Sequence, residues 1–277
     1  SRRGGFSEIP PSTRPLHDAV QPTRSDQPAQ LLRTSVISLY HSLMGLRVFP
    51  MSDWGFFRFH GPDAKDFLQG LVTADMKRLA PGACLPACVL TPKGLLIADC
   101  ELYEEAPGVI LAVTRPAAAE GFYKAFEKKI TLSRSEFSRL SIRAWLFIGD
   151  GYEPGLPWPR LSEPARLVLG ADPPSGAEIL SSEGFHALRV GSGLPWFGAD
   201  IDGETLPLEG RQEAAISLDK GCYMGQETVA RIVYRGHVNR CLMGVSFPGG
   251  VPTAGGVLLR NGREIGRVTS AAGTVAL

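Results

Sequence analysis

The stretch K-G-C-Y-M-G-Q-E-T spans residues 220–228 and concentrates reactive and binding groups in nine positions. It holds a thiol at Cys222, a cation at Lys220, two glycines and an amide–carboxylate pair. Glycines on both sides of Cys222 allow a sharp turn or a close approach to a ligand, and Lys220 would favour the thiolate form of the cysteine. An equally open interpretation is a tight loop that leads into a helix over residues 226–231, with Cys222 packed inward and Lys220 in solvent.

The surrounding sequence alternates irregularly between strand and helix signals. F-F-R-F at 56–59 predicts a strand, and G-P-D at 61–63 opens a helix. T-P-K-G at 91–94 is a turn between two strand-like runs at 83–90 and 95–103, and a further strand follows at 109–113. Thr114 is predicted to cap a helix that has Pro116 in its first turn.

Later strands are expected at 143–148, 166–169 and 185–190, and the glycine-rich region after 236 favours a small antiparallel sheet or barrel. The fold class is therefore α+β.

Composition excludes several classes of protein. The chain has 277 residues, 44% of them hydrophobic, so it can bury a sizeable core. Its formal net charge of +1 gives no overall electrostatic field that would attract nucleic acid or a membrane surface. Its apolar runs are far shorter than the ~20 residues of a membrane span. Five cysteines favour a reducing compartment, with Cys84 and Cys88 as buried structural thiols, and no metal site is predicted.

The motif at 220–228, continued by V-A-R and Y-R-G at 229–231 and 234–236, resembles the signature of the YgfZ-type folate-binding proteins. These proteins are relatives of the glycine-cleavage T-protein, an aminomethyltransferase, and include a mitochondrial iron–sulfur assembly protein. Further segments match in the expected order over residues 51–277: G-P-D-A at 61–64, F-L-Q-G at 67–70, T-A-D at 73–75, P-K-G at 92–94, P-L-E at 207–209 and G-R-V-T-S at 266–270.

The resemblance implies a multi-module fold around a central opening of folate size, ending in a C-terminal antiparallel β-barrel. We expect an extended or poorly ordered arm over 1–50, one α+β module over 51–140, a second over 141–235 that carries the motif, and the barrel module, possibly incomplete, over 236–277.

Site residues follow from the same resemblance. Cys222 is expected to act as nucleophile, transient metal ligand or redox relay, with Lys220 as its electrostatic neighbour. The pterin and glutamyl groups of tetrahydrofolate are expected to meet Glu209, Tyr223, Gln226, Glu227, Arg231 and Arg235. From the residues alone, the acids and Gln226 could instead cap a helix, and the two arginines could be ordinary surface charges.

Departures from the T-protein pattern make ordinary aminomethyl transfer doubtful. One acid, Asp99, stands in place of a catalytic pair, the carboxylate of an R-L-E-A-G segment is absent from residues 189–193, and Arg115 replaces an asparagine.

The resemblance thus implies a tetrahydrofolate-binding accessory protein rather than a classical enzyme. Its partners would be folate and iron–sulfur client enzymes, including tRNA-modifying ones, with no direct contact to nucleic acid or membrane. Its location would be the cytoplasm, or the mitochondrial matrix in a eukaryote. The alternatives are an aminomethyltransferase that uses Asp99, and a folate-linked demethylating enzyme with a flavin-bearing partner.

Overall fold

The structure, a computed structural model, describes residues 45–277. Residues 1–44, most of the predicted arm, lie outside the described residues. The strands are β1 (Arg47–Pro50), β2 (Gly55–His60), β3 (Leu85–Leu90), β4 (Leu96–Ala106), β5 (Val109–Thr114), β6 (Glu136–Leu140), β7 (Ala144–Ile148), β8 (Leu156–Pro157), β9 (Ala165–Leu169), β10 (Glu178–Ile179), β11 (Val245–Ser246), β12 (Val257–Arg260), β13 (Arg263–Arg267), β14 (Ala271–Ala272) and β15 (Val275–Ala276). The α-helices are α1 (Ala64–Gln69), α2 (Ala119–Phe126), α3 (Ser182–Gly191) and α4 (Gln226–Arg235). Short 3₁₀ helices cover Met76–Arg78, Pro116–Ala118, Lys129–Leu132 and Glu213–Ala215.

Two five-stranded sheets form the centre of the described chain. The first is antiparallel, in the order β3-β4-β5-β2-β6, and the second has the order β10-β1-β7-β9-β8 with only β1 and β10 parallel. The second sheet includes β1, which comes from the end of segment 1–50. The rest of the predicted module boundaries stay predictions, although the one at 140/141 falls between β6 and β7.

Strand β5 is buried on both faces, which explains why residues 109–113 are apolar throughout. Ile110 and Ala112 pack in a core with α1 and α2, while Leu111 and Val113 pack in a second core with Leu146 of β7. Successive side chains of a strand point to opposite faces, so a strand between two layers needs apolar residues at every position.

The C-terminal region forms two small sheets rather than a closed barrel. Strands β11, β15 and β14 make one, and β12 and β13 make a hairpin. Neither sheet closes on itself within residues 45–277, so the predicted barrel is not formed there. The α+β class is confirmed.

Two local predictions were wrong. Residues 185–190, expected as a strand, lie in α3, because the Ser181 hydroxyl accepts a hydrogen bond from the Gly184 amide (3.1 Å) and starts a helix. Phe185 and Val190 then share its buried face. Thr114 does not cap a helix: it ends β5, its hydroxyl donates to the Asp99 carbonyl (2.7 Å), and the next turn is 3₁₀.

No helix within residues 45–277 has the length and apolar character that crossing a membrane requires.

Candidate functional site

The signature loop lies against the turn between β3 and β4, so two separate sequence motifs meet. Gly225 has φ +81° and leads into α4; a Cβ atom there would stand 2.6 Å from the Thr91 carbonyl oxygen. Gly94 has φ +83°, and a Cβ atom there would stand 2.7 Å from Thr228. The Thr228 hydroxyl donates to the Lys93 carbonyl (2.9 Å). Both glycines are required because a side chain at either position would separate the two segments.

Lys220 is an anchor of this loop and not the solvated cation of one interpretation. Its ammonium donates to the carbonyls of Val72 (2.8 Å) and Ala74 (2.7 Å), within the T-A-D segment and just before it. It also lies 5.2 Å from the centre of the Tyr223 ring. Burial lowers the pKa of Lys220 to about 8, against the opposing effect of the nearby Asp75 carboxylate. The contacts hold the loop to the first sheet's edge.

Cys222 is exposed, in contrast to the inward packing that one interpretation allowed. The cysteines of the first sheet differ sharply: Cys88 and Cys100 are buried, and burial raises the pKa of each thiol. Cys84 is partly buried, and burial raises the pKa of its thiol to about 12. Cys241 is the other exposed cysteine. Because thiols react as thiolates and need access, Cys222 and Cys241 are the thiols within residues 45–277 that a partner can reach.

Tyr223 and Gln226 support the loop from inside. Tyr223 packs in an apolar cluster with Cys88, Leu90 and Val229, and burial raises its pKa to about 12. The Gln226 side-chain oxygen accepts a hydrogen bond from the Tyr223 amide (3.4 Å), so it caps the loop.

Glu227, Arg231 and Arg235 follow one another at four-residue spacing along α4, so they share one side of the helix. All three are exposed, and within residues 45–277 their side chains make no hydrogen bond or ion pair. This stripe is therefore available to a ligand or partner.

Glu209 is engaged in local structure. One carboxylate oxygen accepts from the Leu206 amide (3.0 Å), and the other lies 3.2 Å from the Arg240 guanidinium. Glu209 therefore caps a turn and does not lie at the start of a helix, as one interpretation had it.

Asp99 is enclosed in a buried ionic cluster. Its carboxylate lies 3.4 Å from Arg115, which also binds Glu101, and Arg160 lies 3.2 Å from Glu101. The guanidinium of Arg115 is caged by the rings of Trp54, Trp158 and Trp196 at 5.3–5.9 Å. Arg115 is fully buried, and the two carboxylates raise its pKa against the effect of burial.

Sequence reasoning missed a cavity of about 610 Å³ between the β1–β2 connection, α3 and segment 269–271. None of the predicted site residues lines it. Its walls draw on Trp54, Phe185 and Trp196, whose apolar character in sequence was indistinguishable from that of core residues.

Comparison with solved structures identifies the fold. The fold matches the crystal structure of the glycine cleavage system aminomethyltransferase T from Bartonella henselae, with a TM-score of 0.75 and 20% identity over 86% of this chain and 78% of the other. The fold is thus that of the aminomethyltransferases, here with a buried arginine beside Asp99 and an exposed thiol on the signature loop.

Sequence comparison identifies the family. The chain is 30% identical over 190 residues to an uncharacterized protein of Haemophilus influenzae, covering 66% of this chain and 67% of the relative. It is 26% identical over 230 residues to the tRNA-modifying protein YgfZ of Escherichia coli O157:H7 and to that of Shigella boydii, covering 71% of each chain. No family model matches. The chain belongs to the YgfZ family.

Proposed function

We propose that this protein is a folate-binding accessory factor that supports tRNA modification by maintaining iron–sulfur clusters in client enzymes, with Cys222 as the group that acts on the client. The observation that carries the proposal is the exposed Cys222 on a loop fixed from several sides. A fixed backbone lowers the entropic cost of presenting the thiol to another protein.

The chemistry of one exposed thiol fits transient contact better than storage. Iron–sulfur clusters are normally held by about four thiolates. Within residues 45–277 no three metal-binding side chains converge on one point, so a cluster or iron ion would be cargo passed between proteins. Cys222 would serve as one temporary ligand, with the remaining ligands from the client.

Folate binding is supported by the aminomethyltransferase fold and by the free stripe on α4. Arg231 and Arg235 would neutralise glutamyl carboxylates of tetrahydrofolate, because a guanidinium pairs with a carboxylate through two parallel hydrogen bonds. Glu227 would accept from an N–H group of the ligand. Tyr223 and Gln226 would act indirectly, by holding the loop and the start of α4.

The alternative, aminomethyl transfer with Asp99 as the reacting acid, is less well supported. Asp99 is almost fully buried and lies beside Arg115, so it lacks both access to a substrate and freedom to move. The tRNA-related role is proposed for this chain because its relatives include the tRNA-modifying protein YgfZ of Escherichia coli.

The test is complementation of a bacterial strain that lacks its own YgfZ-type protein, with modified tRNA nucleosides measured by mass spectrometry. Wild type should restore the modifications, and Cys222→Ser should not. Cys241→Ser is the matched control, since Cys241 is also an exposed thiol, and it should behave as wild type. Equal restoration by Cys222→Ser would refute the role of the thiol.

Folate binding is tested separately by isothermal titration of tetrahydrofolate under anaerobic, reducing conditions. Wild type and Cys222→Ser should bind equally, and Arg231→Ala with Arg235→Ala should bind more weakly. If tetrahydrofolate binds none of these proteins, the folate part of the proposed function is refuted. The role of the Cys222 thiol is tested independently by the complementation experiment.

A further inference from the structure

Thr73, the first residue of the T-A-D segment, joins two distant parts of the chain through its side chain. Its hydroxyl accepts a hydrogen bond from the Cys88 amide of β3 (2.8 Å) and donates one to the Ala215 carbonyl (2.6 Å), 142 residues further along the chain. The side chain is fully buried. Threonine suits this place because a hydroxyl has one hydrogen to donate and two lone pairs that accept.

The backbone of Thr73 connects the same two parts. Its amide donates to the Cys88 carbonyl (2.9 Å), and its carbonyl accepts from the Ser217 amide (3.0 Å). Thr73 is thus bonded twice to β3, an outer strand of the first sheet, and twice to the short stretch 215–217. Together the four bonds fix that stretch against the edge of the sheet.

The fixed stretch leads directly into the signature loop. Lys220 binds the two carbonyls on either side of Thr73, and the Met224 amide donates to the Gly70 carbonyl (3.2 Å). Cys222 lies between these two attachments in the sequence. The loop that carries the exposed thiol is therefore laid along the segment that Thr73 ties to β3.

We infer that Thr73 is a positioning residue for Cys222. Lys220 attaches the signature loop to the segment around Thr73, and Thr73 attaches this segment to the first sheet, so its hydroxyl sets where the thiol is presented. The inference rests on the proposed function, in which the Cys222 thiol acts on a client enzyme. Such a thiol needs a defined position, since a misplacement of about 1 Å can cost about a hundredfold in rate.

Three variants separate positioning from stability. Thr73→Val keeps the shape of the side chain but leaves the buried Cys88 amide and the Ala215 carbonyl without this hydroxyl, whereas Thr73→Ser retains it. Thr114→Val is the matched control, because the Thr114 hydroxyl is also fully buried in the first sheet and donates to a carbonyl, that of Asp99 (2.7 Å). Melting curves show whether each variant is folded and how far it is destabilised.

The first readout is amide hydrogen exchange followed by NMR. In Thr73→Val the Ser217 and Met224 amides should lose protection by about tenfold or more, because the loss of two hydrogen bonds lets the segment open locally. Thr73→Ser and Thr114→Val should keep wild-type protection at both amides.

The second readout is the complementation assay of the proposed function. Thr73→Val should lose most of the tRNA modification that wild type restores, while Thr73→Ser and Thr114→Val should restore it. If Thr73→Val does not fold, Ser217→Pro takes its place, since proline removes the amide hydrogen that binds the Thr73 carbonyl at a partly exposed position. This variant should cause the same loss of modification and of protection at Met224.

Lost protection together with lost modification in a folded variant, with both kept in Thr114→Val, supports the inference. Unchanged protection overturns it, and so does lost protection with full modification, because the position of the loop would then not matter to the thiol. Failure of Thr73→Ser or of Thr114→Val alongside Thr73→Val also overturns it, since the hydroxyl of Thr73 would not be the reason. If wild type itself restores no modification, the proposed function is refuted, and the exchange results alone decide whether Thr73 fixes the loop.

Discussion

Replacing Arg115 with methionine should destabilise the protein strongly. Arg115 is the counter-ion of Asp99 and Glu101, and both carboxylates are almost fully buried. Methionine approximates the length of the arginine stem but removes the charge. Glu101 would keep Arg160, whose nitrogen is 3.2 Å away, and Asp99 would have no ion-pair partner within residues 45–277.

Breaking a buried ion pair on one side costs about 3–5 kcal/mol, because a charge stays buried without its partner. At about 2–4 °C per kcal/mol for a chain of roughly this size, the melting temperature should fall by about 6–20 °C. Loss of the cation–π contacts with three tryptophans acts in the same direction. Urea unfolding followed by tryptophan fluorescence measures the change, since three of the chain's four tryptophans surround this arginine.

Two further variants make the reasoning refutable. Arg143→Met breaks the exposed pair with Asp172, whose side chains are 69% and 68% exposed, and should cost less than about 1 kcal/mol. Adding Asp99→Asn and Glu101→Gln to Arg115→Met should recover part of the loss, because the uncompensated charges are then gone. If Arg115→Met costs no more than Arg143→Met, or if the triple variant is less stable than Arg115→Met, the cluster does not work as described.

Three other outcomes are expected. Gly225→Ala should lower the free energy of unfolding by about 2–4 kcal/mol in chemical denaturation, because Gly225 has a positive φ and lies close to the Thr91 carbonyl. Gly221→Ala is the control: its surroundings are open, so the free energy of unfolding should change by less than about 0.5 kcal/mol. Equal effects of the two substitutions would contradict the loop geometry. Lys220→Met should cost about 1–3 kcal/mol at pH 7 by leaving two carbonyls unpaired. Between pH 8 and 10.5 Lys220 is neutral in the folded chain and charged in the unfolded chain, so the unfolded state binds more protons. The wild type should therefore gain stability relative to Lys220→Met as the pH rises. If urea titrations show that the difference in unfolding free energy between the two proteins falls with pH, the lowered pKa is refuted. Brief alkylation of the native protein followed by peptide mass spectrometry should label Cys222 and Cys241 and spare Cys88 and Cys100, and rapid labelling of the buried pair would contradict the packing of β3 and β4.

Much of the central architecture was predictable because local signals agreed with the tertiary environment. The turn at 91–94 and the strands around it follow from proline and glycine at turn positions and from continuous apolar runs. The helix after the signature was predicted over 226–231 and continues to Arg235. Residues 185–190 were misassigned because the glycines and prolines around them suggested short extended segments, and the cap at Ser181 outweighed that context.

The site was predicted in its members but not in their roles. The motif identified Lys220 and Cys222 together, yet one is a buried anchor and the other an exposed thiol. Spacing along the chain could not separate them, because the side on which each residue faces depends on where the T-A-D segment lies. The replacement at Arg115 was visible in sequence, but its partners come from β4 and the Trp cage comes from three distant segments.

The sequence by itself determined the α+β class, since turn residues and apolar periodicity act over a few positions, and its motifs determined the membership in the YgfZ family. Only the tertiary structure decided that Asp99 is enclosed, that Glu209 is used in a turn, that the α4 stripe is free and that an aromatic cavity exists. The enclosure of Asp99 and the cavity depend on groups from separate segments of the chain that come within a few ångströms when the sheets pack. Burial and pairing are properties of that packing and are not encoded at any single position.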